Sequence, residues 1–174
     1  MFKIRQATID DAELLSVFIN RLDSESKYLL YDQHERKNNF VTTKNYLTKM
    51  NALTKNIVVL AENTREGIVG FACGETLCLR KMAHVMKSNL GVLRAYQGKG
   101  LGRILLQKLI VHAEQNEIIR IEANIVKENK LSLNLCKKFG FTVEGMKQKS
   151  IKIENFYHDE YLVAKLLVST SETL

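Results

Sequence analysis

The stretch Ala95-Tyr-Gln-Gly-Lys-Gly-Leu-Gly-Arg-Ile-Leu-Leu106 places Gly98, Gly100 and Gly102 at the mouth of an apolar run with helical spacing. Glycine weakens helices, so a cluster of it at a helix start asks for bare backbone facing something that side chains would hold away. Leu101, Leu105, Leu109 and Ala113, widened by Leu106 and Ile110, predict a helix of about four turns. A strand is expected just before the loop, from about His84 to Leu93. Strand, glycine loop and helix together turn unpaired N–H groups and the positive end of a helix dipole toward an anion, and a phosphate is the natural guest.

Two common phosphate loops do not fit. A P-loop needs Ser or Thr after Gly98-Lys99 and another glycine well upstream, but Gly100 follows. The dinucleotide fingerprint needs a small residue at 103, where Arg103 stands.

The rest of the chain alternates strands and helices. Phe2 and Ile4 mark a first strand, and a helix follows with Thr8 or Asp10 as its cap and Leu15, Phe18, Ile19 and Leu22 on one face. Residues 23–39 show no clear period and read as loop or short helix. Tyr46, Leu47, Met50 and Leu53 predict a second helix over 42–53. Residues 56–62 and 67–79 read as an antiparallel hairpin around Asn63-Thr-Arg-Glu-Gly67. Ile119, Ile121, Ala123 and Ile125 alternate with polar residues, as a strand with one wet or differently packed face does. Residues 128–141 are helical, with Leu131, Leu135 and Phe139 on one face and Gly140 just past the end, and two strands close the chain over 141–150 and 159–168. The order fits an α/β or α+β sheet domain.

At 174 residues the chain is most simply one domain, 1–174, with a core over about 2–167 and a tail over about 168–174. Cys73, Cys78 and Cys136 offer neither a C-x-x-C pair nor zinc spacing, so no metal is expected and a reduced, cytoplasmic setting fits. The amino terminus lacks a long apolar run, so neither a signal peptide nor a membrane partner is expected. Lys and Arg number 26 against 19 Asp and Glu, a formal +7 that suits an anionic ligand as well as a plainly solvated surface. No aromatic and basic interleave, zinc pattern or helix-turn-helix accompanies that charge, so no nucleic-acid partner is expected.

The pattern Gln97-Gly98-Lys99-Gly100-Leu101-Gly102 resembles the acetyl-coenzyme A loop of the GNAT-type N-acetyltransferases, Arg or Gln, two residues, Gly, one residue, Gly or Ala. The resemblance extends from Asn89 to Ile110 as strand, loop and helix, and from Ile121 to Gly145 as the next strand and helix with an asparagine before it and a closing Gly-Phe. It covers most of residues 2–167, and the terminal strands look like the branch that holds ribosomal-protein, polyamine and small-amine acetyltransferases. The resemblance implies a mixed, mostly antiparallel sheet with a splayed central strand pair, flanked by helices. The activity it implies is direct transfer of acetyl from acetyl-CoA, as cosubstrate, to a primary amine of a small molecule or a protein N-terminus. A noncatalytic acyl-CoA-binding or sensing domain is the alternative, and a homodimer is left open.

By the same resemblance, Gln97, Gly98, Lys99, Gly100, Leu101, Gly102 and Arg103 form the cradle for the cofactor diphosphate. Leu90, Gly91, Val92 and Leu93 lie where the preceding strand bulges and splays and the pantetheine adds like a strand, with an N–H near Val92 or Leu93 facing the thioester carbonyl. Asn129 matches the asparagine that contacts the cofactor, or is a plain helix cap. An alkylammonium of pKa near 10 is about one part in a thousand neutral at pH 7, so a base is needed; Glu75 is the first candidate, directly or through water, and His84 the second. Either is equally read as an exposed or strand-edge residue. Cys136 stands where the family often has a tyrosine that protonates the departing thiolate, and is read either as a modest acid or as a small packing residue. Asp32, Glu35 and Glu154 are acidic residues that suit a cationic acceptor or plain solvation.

Overall fold

Two neighbouring strands that part company define the architecture. The computed structural model describes residues 2–33 and 35–168. Its sheet has seven strands in the order β1-β2-β3-β4-β5-β7-β6, where β1 is Phe2–Gln6, β2 Ile57–Asn63, β3 Gly67–Thr76, β4 Val85–Val92, β5 Arg120–Val126, β6 Thr142–Ile153 and β7 Phe156–Leu166. All pairings are antiparallel except β4 with β5, which run parallel and join only through Val85–Lys87 against Arg120–Glu122. Beyond Lys87 and Glu122 they separate, and Ser88 Oγ donates to Glu122 O at 3.0 Å where the ladder ends.

The helices are α1 (Ala12–Glu25), α2 (Phe40–Asn51), α3 (Leu101–Gln115) and α4 (Lys130–Lys138). Strand alternation assigns them to the two faces. Phe71 of β3 meets Phe18 of α1 edge to face, and Glu75 meets Lys49 of α2, so α1 and α2 cover the face of the odd-numbered β3 residues. Gly70 approaches Leu105 of α3 on the other face. Core side chains fill both layers, with Leu15, Phe18, Leu22, Leu47 and Met50 on one side and Leu101, Leu105, Leu109 and Ala113 on the other.

Local chemistry accounts for the element ends. Thr8, not Asp10, begins the first helical segment: it caps a 3-10 turn over Ile9–Asp11, and Asp11 accepts the Thr8 N–H at 2.7 Å while Arg5 clamps both Asp11 oxygens. That clamp, the largest influence on Asp11, holds its carboxyl below the usual range. Asn39 caps α2 by accepting from Thr42 N, so this helix begins two residues before the predicted start at 42. Residues 26–39 carry no helix or strand among the described residues.

Several expectations are corrected. β3 stops at Thr76 rather than 79, leaving Leu77 and Leu79 exposed. On α4 the buried residue is Leu133, with Leu135 and Phe139 partly buried beside it, whereas Leu131, about 200° round the helix from Leu133, is 72% exposed. The closing strands form a longer hairpin than predicted, since Glu154 and Asn155 both take the left-handed conformation of a two-residue turn and let β6 run on to Ile153. β7 ends at Leu166, and of the predicted tail 168–174 all but Val168 lies outside the described residues. No described helix is long and apolar enough to cross a membrane.

Candidate active site

Between the parted ends of β4 and β5 lies a cleft of about 390 Å³. Its β4 wall presents unpaired backbone. Leu93 donates its N–H to Val69 O at 3.0 Å, and the β3–β4 register runs without a shift from Gly70–Val92 to Thr76–Met86. Hydrogen-bonded pairs alternate in an antiparallel ladder, so residues 89, 91 and 93 bond to β3 while Leu90 and Val92 turn their N–H groups toward the gap that β5 has left. The expected bulge in this strand is therefore absent from its ladder; the splay comes from the early end of the β4–β5 pairing.

This register corrects two expected contacts. Leu93 has its N–H committed to Val69 and is 1% exposed, so the available donors are Leu90 and Val92. Gly91 points its missing side chain at α1, where a Cβ would overlap Leu22 Cδ2. It is glycine so that helix and sheet can close on each other.

The glycine loop follows directly. Gln97 Nε2 donates to Val92 O at 3.0 Å, and Arg94 ties the turn to the end of α1 through Glu25. Gly98 and Gly100 have φ of +73° and +81° with open space around each absent Cβ, so backbone conformation demands glycine at both. No backbone or side-chain acceptor among the described residues meets the N–H groups from Gly98 to Arg103, and the first turn of α3 contains no acidic residue. These are the orphan donors of a helix start, flanked by exposed Lys99 and Arg103. Leu101 is buried and anchors the helix. Gly102 lies over the cleft, its Cβ position 3.5 Å from Leu135 and 3.7 Å from Leu90.

The cleft passes through the sheet, and its two sides differ in chemistry. Toward α3 and α4 it is lined by Leu90, Leu106, Leu109, Leu135, Cys136 and Phe141, with Asn129 and Ser132 as polar points. Asn129 Oδ1 accepts from Ser132 N at 3.2 Å, the geometry of a helix cap, and the residue also faces the cleft. Cys136 is half-buried, and that burial pushes its thiol up to about 11.

Toward α1 and α2 the strands add charged and amide side chains to apolar ones such as Leu29, Leu30 and Leu162. Lys87 and Asn89 of β4 share the face of Glu75 and Cys73 opposite them. Glu122 pairs with Lys87, and Asn124 lies on the same face two residues on. Glu160 of β7 sits opposite Val126, and Lys147 of β6 opposite Glu160. Tyr28, Leu29 and Leu30 approach from the segment after α1.

Neither expected base lies in this cleft. Glu75 is held by Lys49 Nζ at 2.5 Å and lines a separate hollow with Thr76 and Cys78, because β3 carries it to the far side of β4 from the gap. His84 is an exposed turn residue before β4, at the closed end where β4 and β5 are still paired; its carbonyl accepts from Ile119 and Arg120 N–H. Asp32, Glu35 and Glu154 are exposed and line neither hollow. Glu122 and Glu160 are the carboxylates in the cleft. Their trace in the sequence is the polar residue at every second position of Arg120-Ile-Glu-Ala-Asn124, unusual for an interior strand, but the partner strands are known only from the fold.

A parted sheet, an open strand edge and a loop of unbonded amides make a cleft for a long ligand with one anionic end. The acetyltransferase (GNAT) family model matches residues 18–141, and the chain belongs to that family. Among solved structures, an acetyltransferase of the GNAT family from Streptococcus pneumoniae superposes with a TM-score of 0.91 at 25% identity, covering 97% of this chain and 100% of that one. A GNAT superfamily phosphinothricin acetyltransferase from Sinorhizobium meliloti, solved in complex with acetyl-CoA, has a TM-score of 0.85 at 16% identity over 99% and 92% of the two chains. A ribosomal-protein-alanine N-acetyltransferase from Brucella melitensis has a TM-score of 0.82 at 23% identity over 95% and 99%. No curated protein matches the chain.

Proposed function

We propose that this chain is a single acetyltransferase domain that moves acetyl from acetyl-CoA to a primary amine of a small molecule or a protein N-terminus. The observation that carries the reading is two sets of free N–H groups on one segment, Leu90 and Val92 on β4 and residues 98–103 at the start of α3, joined by a turn whose Leu93, Arg94, Tyr96 and Gln97 N–H groups are bonded within the fold. A ligand with an amide-bearing arm and a diphosphate matches both sets: the arm adds to β4 as a strand would, and the phosphates take the loop amides with Lys99 and Arg103 beside them. The complex of the Sinorhizobium meliloti neighbour with acetyl-CoA supports the same ligand class.

Acetyl-CoA supplies an acyl thioester. The chain's own groups supply orientation and proton handling. Leu90 and Val92 N–H are donors fixed in the sheet, and such donors act best where negative charge builds on a carbonyl oxygen. Glu122 is held by Arg120 Nε at 2.5 Å, a guanidinium it shares with Glu144. Glu160 has no cation within salt-bridge distance among the described residues and bonds only Ser150 Oγ, at 2.9 Å, so its carboxylate is the one free to take a proton from an ammonium in the cleft. Cys136, with its thiol pushed up to about 11, keeps its proton at neutral pH and is a weaker acid than an ordinary thiol of pKa about 8.5. It acts as packing in the apolar wall.

Titration calorimetry with acetyl-CoA, followed by coenzyme A release in the presence of amines, tests the reading. Heat of binding that is lost on replacing Gly98 and Gly100 by valine, together with amine-dependent release, is expected. No heat with the intact chain overturns it, and binding without release for any amine favours a sensing domain.

A further inference from the structure

The charges on the α1 and α2 side of the cleft point to a class of acceptor. Glu75 and Glu122 flank Lys87 across the sheet, yet each carboxylate already holds another cation, Lys49 and Arg120 respectively. Lys87 itself makes no ion pair among the described residues, although it lines the cleft at the point where β4 and β5 part. Lys147 shows the same pattern: it stands opposite Glu160 and lines the cleft, and no carboxylate lies within salt-bridge distance of it among the described residues. The unpaired charges on this side are therefore two ammonium groups and the Glu160 carboxylate. Strand parity keeps all of them away from the face that carries Leu90, α3 and the glycine loop.

We propose, on the basis of the transferase reading above, that the acceptor is a small amine that also carries a carboxylate or comparable anionic group, such as a free amino acid, and that Lys87 is its specificity-determining residue. Glu160 receives the ammonium, and the anionic group meets Lys87, with Lys147 adding to the positive field. A polyamine brings two or more positive charges to a wall where two lysines without ion pairs stand beside one unpaired carboxylate, so repulsion from Lys87 and Lys147 disfavours its second charge. A protein N-terminus lacks the α-carboxylate that Lys87 would hold. In the transfer step Glu160 takes one proton from the acceptor ammonium, the neutral nitrogen bonds the acetyl carbon as the carbon–sulfur bond breaks, and the second nitrogen proton passes through water to the departing thiolate, which leaves the amide, coenzyme A as the thiol and a protonated Glu160 that returns its proton to solvent.

The test uses the full chain with saturating acetyl-CoA and compares kcat/KM for free amino acids, the same amino acids as α-amides, and spermidine. Each free acid that is turned over is expected to exceed its amide by about tenfold, the size of one charge-assisted contact, and spermidine to fall below both. The ratio of acid to amide should collapse toward unity in K87Q and return in K87R, which a merely structural role for Lys87 would not produce. Equal rates for acid and amide, or spermidine as the best acceptor, overturn the proposal and leave the transferase reading intact. Calorimetric binding of acetyl-CoA with no free amino acid turned over also overturns it. If acetyl-CoA fails to bind at all, the underlying reading falls with it.

Discussion

The two sides of the cleft are built from different materials. Toward α3 and α4, the groups that face a ligand are chiefly main-chain amides and hydrocarbon; the amides belong to one segment from Leu90 through Arg103, and α4 and its flanks add Leu135, Cys136 and Phe141 with Asn129 and Ser132 as polar points. Toward α1 and α2, they are charged and amide side chains drawn from β4, β5, β6 and β7. A backbone site tolerates change in its side chains but not in its dihedral angles. A side-chain site has the reverse weakness, since any of its residues can be exchanged without disturbing the strand that carries it. The same fold can therefore keep one cofactor while changing its acceptors.

Breaking the backbone side should give the largest effect. Valine at Gly100 must adopt φ near +81°, which strains a β-branched residue by about 2 kcal/mol, and moving the loop forfeits a charge-assisted bond of similar size. G100V is expected to weaken acetyl-CoA binding about a thousandfold by calorimetry, with circular dichroism unchanged. An intermediate effect belongs to the side-chain side. E160Q should lower kcat about a hundredfold, as loss of a proton acceptor does, while leaving acetyl-CoA affinity within about twofold. A parallel loss of cofactor affinity would show that the two sides are not separable.

The smallest effect is expected at Cys136. C136A should retain turnover within about twofold, whereas loss of a working acid costs at least about a hundredfold. The same residue has a pH signature in stability. Burial raises the folded-state thiol to about 11, above its ordinary value, so the folded chain holds this proton more tightly than the unfolded one. That contribution is present at neutral pH and is lost as pH rises from about 9 through about 11. Thermal melts across that window should fall more steeply for the intact chain than for C136A.

Much of the glycine loop and its helix was legible from residue order because the information is local. Gly98 and Gly100 announce an unusual backbone, Leu101, Leu105 and Leu109 announce the helix that follows, and adjacency in the chain guarantees adjacency in space. Even there, which amides are free depends on hydrogen-bond parity: Leu93 and Gly91 looked equivalent to Val92 and Leu90 until the ladder with β3 assigned them to the other side. Placement relative to the gap depends on strand order in the same way. Glu75 lies on β3, across β4 from the gap, and His84 is the turn residue just before β4, at the end where β4 and β5 are still paired.

Residue order alone determined the glycine loop, the helix behind it, the mixture of strands and helices, and the shift from polar to apolar spacing that marks each element. Those properties arise from dihedral preference and from periodicity over a few residues, so neighbours in the chain suffice to specify them. Tertiary structure decided where β4 and β5 part, which carboxylates enter the gap, and which lysines are left without partners. Those depend on strand order and register across residues 85–166, which packing and long-range pairing select together and which no local window contains.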